Sequence, residues 1–176
     1  MQQTNLYTVT VPPMVAALTN LCGLIGKAAA HAEGKKSKVE QLLNDRLVFD
    51  QFDLKKQVQV ATNAAKRTGA LLSGAENPVF EDDEQTPEEL KARIGKTIAF
   101  LETLKEADFA GKEGISIEMY FMKDRFLSGF DYAVMYAMPN FYFHVTTAYS
   151  ILRKNGVDVG KTDYLGALPY RDTPPI

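Results

Sequence analysis

Apolar residues recur at three- and four-residue intervals in four long stretches of this chain, the spacing that lays one stripe along an α-helix. The first stretch runs from about 12 to 33, with Met14, Leu18, Leu21, Ile25, Ala28 and Ala32 in the stripe. Pro12 and Pro13 place its start, because a first-turn proline gives up no helical hydrogen bond. Gly34 and two lysines end it. The second covers 54 to 73 and turns Leu54, Val58, Ala61, Ala65, Thr68 and Leu72 inward, with Gln57 on the same side. The third opens on a strong local signal: Thr86 as N-cap, Pro87 at the first helical position and Glu89 as reciprocal partner. It runs to about 107, with Leu90, Ile94, Ile98, Leu101 and Leu104 inward. Ser128 and Asp131, at capping-box spacing, open a fourth that reaches about 154 and stops at Asn155 and Gly156.

The connections are shorter and less regular. Residues 37 to 43 read as a helical turn capped by Ser37, and 44 to 53 as an irregular link anchored by Leu47, Phe49 and Phe52. Turn formers and an acidic run make 73 to 85 a solvated loop. Ile115, Ile117, Met119 and Phe121 alternate before a Lys-Asp turn, which predicts a small β-hairpin between the third and fourth helices. The tail, about 157 to 176, is irregular and ends in prolines. The pattern is therefore all-α: a four-helix bundle with a hairpin or irregular insert, one domain over residues 1 to 176.

On the fourth helix, a turn of about 100° per residue puts Phe130, Val134, Phe141, Val145, Ala148 and Leu152 on one face. Asn140, His144, Thr147 and Ile151 form a row at its edge, so His144 points into the bundle or its mouth. Pro139 interrupts the same helix and frees a carbonyl near Met135 that can line a polar cavity. Tyr136, Tyr142 and Phe143 lie on the far side, where water would otherwise meet them. They call for a second covered surface, either another subunit, which favours a homodimer, or the chain's own tail and hairpin.

His144 and Asn140 are the candidate catalytic pair, and Gln57, His31, Thr147 and Tyr149 are candidate ligand-binding residues. Gln57 is the best placed to meet His144 across the bundle, whereas Gln59 and Asn63 face outward on a regular helix and Arg46 lies in the link before it. His31, in the last turn of the first helix, also gains from the helix dipole when protonated. A catalytic zinc takes three protein ligands, and the chain has two histidines, so any site would enlist carboxylates such as Asp50, Asp53 or Asp131 beside His144. The expectation is no metal.

Composition narrows the classes further. With 45% hydrophobic and 24% charged residues among 176, the chain is an ordinary globular domain. A net charge of −2 argues against a nucleic-acid surface, which needs clustered cations. The most apolar stretches, 11 to 32 and 130 to 152, are interrupted by Asn, Lys, His, Pro and Thr, and predict no membrane span. The start lacks the basic and apolar regions of a secretory signal. Cys22, the single cysteine, excludes an internal disulfide and reads as a small buried hydrophobe, so the expected location is the cytoplasm.

The segments "KAAAHAE", "FDLKKQVQVATNAAK", "KTIAFLE", "PNFYFHVTTAYSILRKNGV" and "GKTDYLG" resemble an uncharacterised branch of the DinB/YfiT-like superfamily of helical bundles, over nearly the whole chain. The resemblance implies the DinB-like bundle fold. In metal-binding members the last helix carries two histidines four residues apart followed by Gly-Gln, and the second helix supplies a third. Here His144 matches the later position, Asn140 replaces the earlier one, Thr146 and Thr147 stand for Gly-Gln, and 53 to 74 contains no histidine. The resemblance and these departures from it together imply a small-molecule-binding or structural module with a degenerate metal site, which the far-side aromatics make dimeric. The rival is a metal- or histidine-dependent enzyme, a thiol transferase or hydrolase, with zinc or nickel as its metal and His144 as general base or sole histidine ligand.

Overall fold

A computed structural model of the protein describes residues 4 to 170. Helix α1 (Leu6–Gly34) begins ahead of the prolines rather than at Pro12. Asn5 and Thr8 close a capping box, each side chain bonding the other's backbone N–H at 3.0 Å. Leu6, Thr10 and Val11 are buried, so cap and burial together carry the helix through two prolines that lie toward its outer side. Helix α2 (Val39–Leu43) follows, but Ser37 does not cap it. The Ser37 N–H and hydroxyl both donate to the Ala32 carbonyl, at 3.0 and 3.4 Å, and close the end of α1 instead. In the link to α3 the expected anchors face water: Leu47, Phe49 and Phe52 are all exposed, Phe49 at 91%.

Helix α3 (Leu54–Ser73) is capped by Asp53, whose carboxylate accepts from the Lys56 amide at 2.9 Å, and ends at Gly74 in the left-handed region, φ 83°. Helix α4 (Pro87–Thr103) starts at the Thr86–Glu89 box as its sequence predicts. It stops at Thr103 rather than 107. Leu104 turns extended and a 3₁₀ turn at Glu106–Phe109 follows, which brings Leu104 and Phe109 into the core.

The hairpin forms where alternation placed it. Strands β1 (Ser116–Glu118) and β2 (Phe126–Ser128) pair antiparallel, with Ile117 opposite Leu127. Ile117 and Met119 are buried, while Phe121 lies in the connecting turn and is half exposed. The last helix then runs in three parts: α5 (Gly129–Asp131), a π-helical segment (Tyr132–Ala137) and α6 (Met138–Lys154). Ser128 caps it by accepting from the Asp131 amide at 3.0 Å. Within the π segment the Met138 N–H reaches back five residues to Ala133. An extra residue in a turn rotates everything upstream by about 100°. Phe130 and Val134, expected inward, are accordingly exposed at 52% and 39%, and Tyr132, Ala133 and Ala137 take their places in the core.

In the bundle α1 packs beside α4 and α6, and α3 beside the same two helices. Leu18, Leu21, Val58, Leu72, Ile94, Phe141 and Leu152 share one core. The long α1 is apolar enough to meet the length and composition criteria of a membrane-crossing helix, and its apolar face is the one packed in this core. The tail is more ordered than its sequence suggests. Helix α7 (Lys161–Leu165) packs on α1, with Lys27 paired to Asp163 at 2.7 Å and Asn20 donating to the Tyr164 carbonyl at 3.1 Å. Residues 171 to 176, which hold the final prolines, lie outside the described residues.

The acidic loop between α3 and α4 is not simply solvated. Arg93, 2% exposed on α4, donates to Thr62, Glu84, Asp82, Asn63 and the Glu81 carbonyl at 2.7 to 2.9 Å. Gln59 joins through its amide to Glu84 at 2.8 Å. Gln59 and Asn63 thus face away from His144, as the helical wheel has it, but toward this loop rather than water.

Candidate functional site

His144 and Gln57 meet across the α3–α6 contact. His144 Nδ1 lies 2.7 Å from Gln57 Oε1. The Gln57 amide nitrogen donates to the Phe52 carbonyl at 3.1 Å, which fixes its oxygen toward the ring. An amide oxygen only accepts, so Nδ1 carries the ring proton and Nε2 is left with its lone pair. Nε2 has no hydrogen-bond partner among the described residues. Burial holds the imidazole below its ordinary pKa and keeps it neutral at pH 7. Both residues are buried, Gln57 at 1% and His144 at 7% exposure.

Asn140, one turn back along α6, belongs to a different space. It lines a cavity of about 390 Å³ between α3 and the last helix, shared with Asn63, Ala64, Lys66, Arg67, Asn77, Tyr120, Tyr132 and Tyr136. The π segment makes this wall, since the same rotation that expels Phe130 and Val134 brings Tyr132 inward. Arg67 stacks its guanidinium on the Tyr120 ring, 4.6 Å from the centroid, and its buried Nε has no hydrogen-bond partner. Lys66 is 6% exposed and donates to the Pro78 carbonyl at 2.6 Å. Burial and the nearby Arg93 charge lower its pKa, against the opposing pull of Asp82. The hydroxyls of Tyr120 and Tyr136 lie 3.5 Å apart. Burial raises the Tyr132 and Tyr136 pKa values, so both remain neutral donors at pH 7. Sequence periodicity missed Tyr132 because it carried the regular helical phase through the π turn, and Arg67 on α3 and Tyr120 beyond β1 carried no periodic signal of a shared cavity.

The other candidates do not join either place. Thr147 bonds back to the Phe143 carbonyl at 2.7 Å on its own helix. Tyr149 packs edge-on against Tyr164 of α7, centroids 5.7 Å apart. His31 sits in the last turn of α1, and Cys22 is half-buried against the core rather than fully buried. The far-side aromatics are partly covered by the chain itself. Tyr136 meets Phe121 of the hairpin at 5.5 Å, and Tyr142 is partly buried against the core, whereas Phe143 stays 52% exposed.

The donor set does not fit a divalent metal. His144 offers one free nitrogen, Nε2, while Asn140 lines a separate cavity and offers only an amide, and α3 brings no histidine. No group of three His, Cys, Asp or Glu side chains converges among the described residues. Two of the acids proposed as helpers are engaged locally: Asp53 caps α3, and Asp131 accepts from the Ser128 hydroxyl at 2.6 Å.

A four-helix bundle in this order, with a hairpin before its last helix, has the DinB-like fold. The chain belongs to the family described as Domain of unknown function (DUF1993), whose model matches residues 6–165. It is similar to a DinB family member protein from Shewanella denitrificans, known from a crystal structure, with 46% sequence identity, a TM-score of 0.91 and 96% of each chain covered. No curated protein matches.

Proposed function

We propose that this protein is a small-molecule-binding module that works without a metal, and that the cavity at Asn140 is its site. The observation that carries the reading is the cavity's lining. Three amides, three tyrosines and a stacked arginine converge on about 390 Å³, a size and mix typical of ligand pockets, which lie between helices in bundles. His144 serves beside it as a neutral, hydrogen-bonded link between α3 and α6. Its free Nε2 is the one feature that supports the rival enzyme, in which it would act as a general base.

The module acts as a homodimer through the exposed stripe of Met135, Pro139 and Phe143 on the last helix, apolar positions that a lone subunit would leave in water. We place it in the cytoplasm, on its single unpaired cysteine.

The test of the binding reading is a ligand-observed NMR screen of small organic molecules against the wild type and Ala64→Trp, whose indole fills the cavity. Molecules that bind the wild type should lose binding to the variant while its far-UV circular dichroism stays unchanged. A screen in which every hit binds both proteins equally contradicts the reading.

A further inference from the structure

We propose that the Asn140 cavity selects small organic carboxylates, with Arg67 as the group that reads the charge. This inference rests on the binding reading above and specifies its ligand class.

Among the residues that line the cavity, Lys66 and Arg67 are cationic and none is acidic. Neither forms an ion pair among the described residues. This contrasts with Arg93, a short distance away on α4, which is held between Glu84 and Asp82. Asp82 acts on Lys66 only at a distance and is itself bonded to Lys56 and Arg93.

The two cations differ in availability. Lys66 is engaged by the Pro78 carbonyl and lies over the Phe80 ring at 5.1 Å, so it supplies a fixed positive field rather than a free donor. Arg67 has its guanidinium positioned by Tyr120 and its Nε buried without an acceptor. Arg67 lines the cavity with no carboxylate to neutralise it, and an oxygen anion in that space supplies the missing countercharge. Guanidinium and carboxylate match in planar, two-point geometry, which favours a carboxylate over a point-like anion. The neutral phenols of Tyr132 and Tyr136 and the Asn140 amide add donors around the same space. The tyrosine rings give the ligand's body an apolar, aromatic wall.

The test uses matched pairs that differ only in charge: 4-hydroxybenzoate with 4-hydroxybenzamide, and phenylacetate with phenylacetamide. Each is titrated into the wild type, Arg67→Met and Ala64→Trp by protein-observed NMR, with thermal melts to check the fold. In the wild type each acid should bind about tenfold or more tightly than its amide, the scale of one charge-assisted pair. Arg67→Met should abolish that preference and leave amide binding in place. Ala64→Trp should weaken acid and amide alike. Equal binding of acid and amide to the wild type, lost in Ala64→Trp, overturns the carboxylate inference and leaves the binding reading standing. Acid preference that survives Arg67→Met also overturns it. Absence of binding by all four probes overturns both. If Arg67→Met melts early, Arg67→Gln, which keeps a polar side chain in the same place, takes its role with the same expected loss of preference.

Discussion

At His144 the two ring nitrogens face different surroundings, and the difference can be titrated. Nδ1 is fixed to Gln57 and burial disfavours the imidazolium, so the native pKa lies below the ordinary 6.5. As pH falls, the unfolded chain takes the proton first. Stability contributed by the neutral ring is therefore whole above about pH 6.5 and is lost between there and the native pKa. Denaturant melts at about pH 7.5 and about pH 5.5 should show the wild type losing more stability on acidification than His144→Gln; equal losses would mean that the ring is not held neutral. Asp82 does not blur this comparison. Burial would raise its pKa, but the Lys56 bond and the Arg93 charge outweigh it and hold the carboxylate below 3.8, so its contribution fails only in stronger acid. The Gln57–His144 pair was legible in the sequence because Gln57 keeps a regular α-helical phase from its cap and His144 lies beyond the π turn, in phase with Phe141, Val145, Ala148 and Leu152 on the regular α6. The separation of Asn140 from it was not, since one helical turn divides a buried contact from a cavity wall and only the neighbouring side chains decide which is which.

Elements here are held by a few close approaches that sequence periodicity does not register. Gly129 opens the last helix so near to the Lys112 carbonyl that a Cβ would fall 2.0 Å from its oxygen. Gly129→Ala should destabilise the protein by about 1–3 kcal/mol, the usual cost of overpacking, read as a lower denaturation midpoint; an unchanged midpoint would mean that the two segments do not approach so closely. The loop between α3 and α4 depends on Arg93 in the same way. Arg93→Met leaves the buried Glu84 without a cationic partner and should cost about 3–5 kcal/mol, with hydrogen exchange at 75 to 85 accelerating well before the bundle opens. A surface-loop reading predicts no such local release. The capping box at Thr86 could be read directly, because its signal lies within four residues. The π segment could not, because it follows from how Tyr132, Ala133 and Ala137 pack against α3, and no residue in 132 to 137 announces it. The same holds for α1, where a local cap at Asn5 and burial of Leu6 and Val11 outweigh two prolines.

For the whole molecule, the bundle's helices, hairpin and common core followed from apolar spacing, while the cover over the last helix did not. The hairpin covers Tyr136 and the core partly buries Tyr142, while Phe143 and Met135 are among the exposed apolar residues of the last helix that a second subunit would cover. Phe143→Glu should convert a dimer to a monomer in light scattering without changing the circular dichroism; a dimer that persists would remove the last helix as its interface. The metal-free site at Asn140 is tested most directly by native mass spectrometry of untagged protein purified without chelator. No stoichiometric metal is expected, and an organic molecule should be retained by the wild type but not by Ala64→Trp. A stoichiometric zinc or nickel ion that is lost in His144→Gln would contradict the metal-free site.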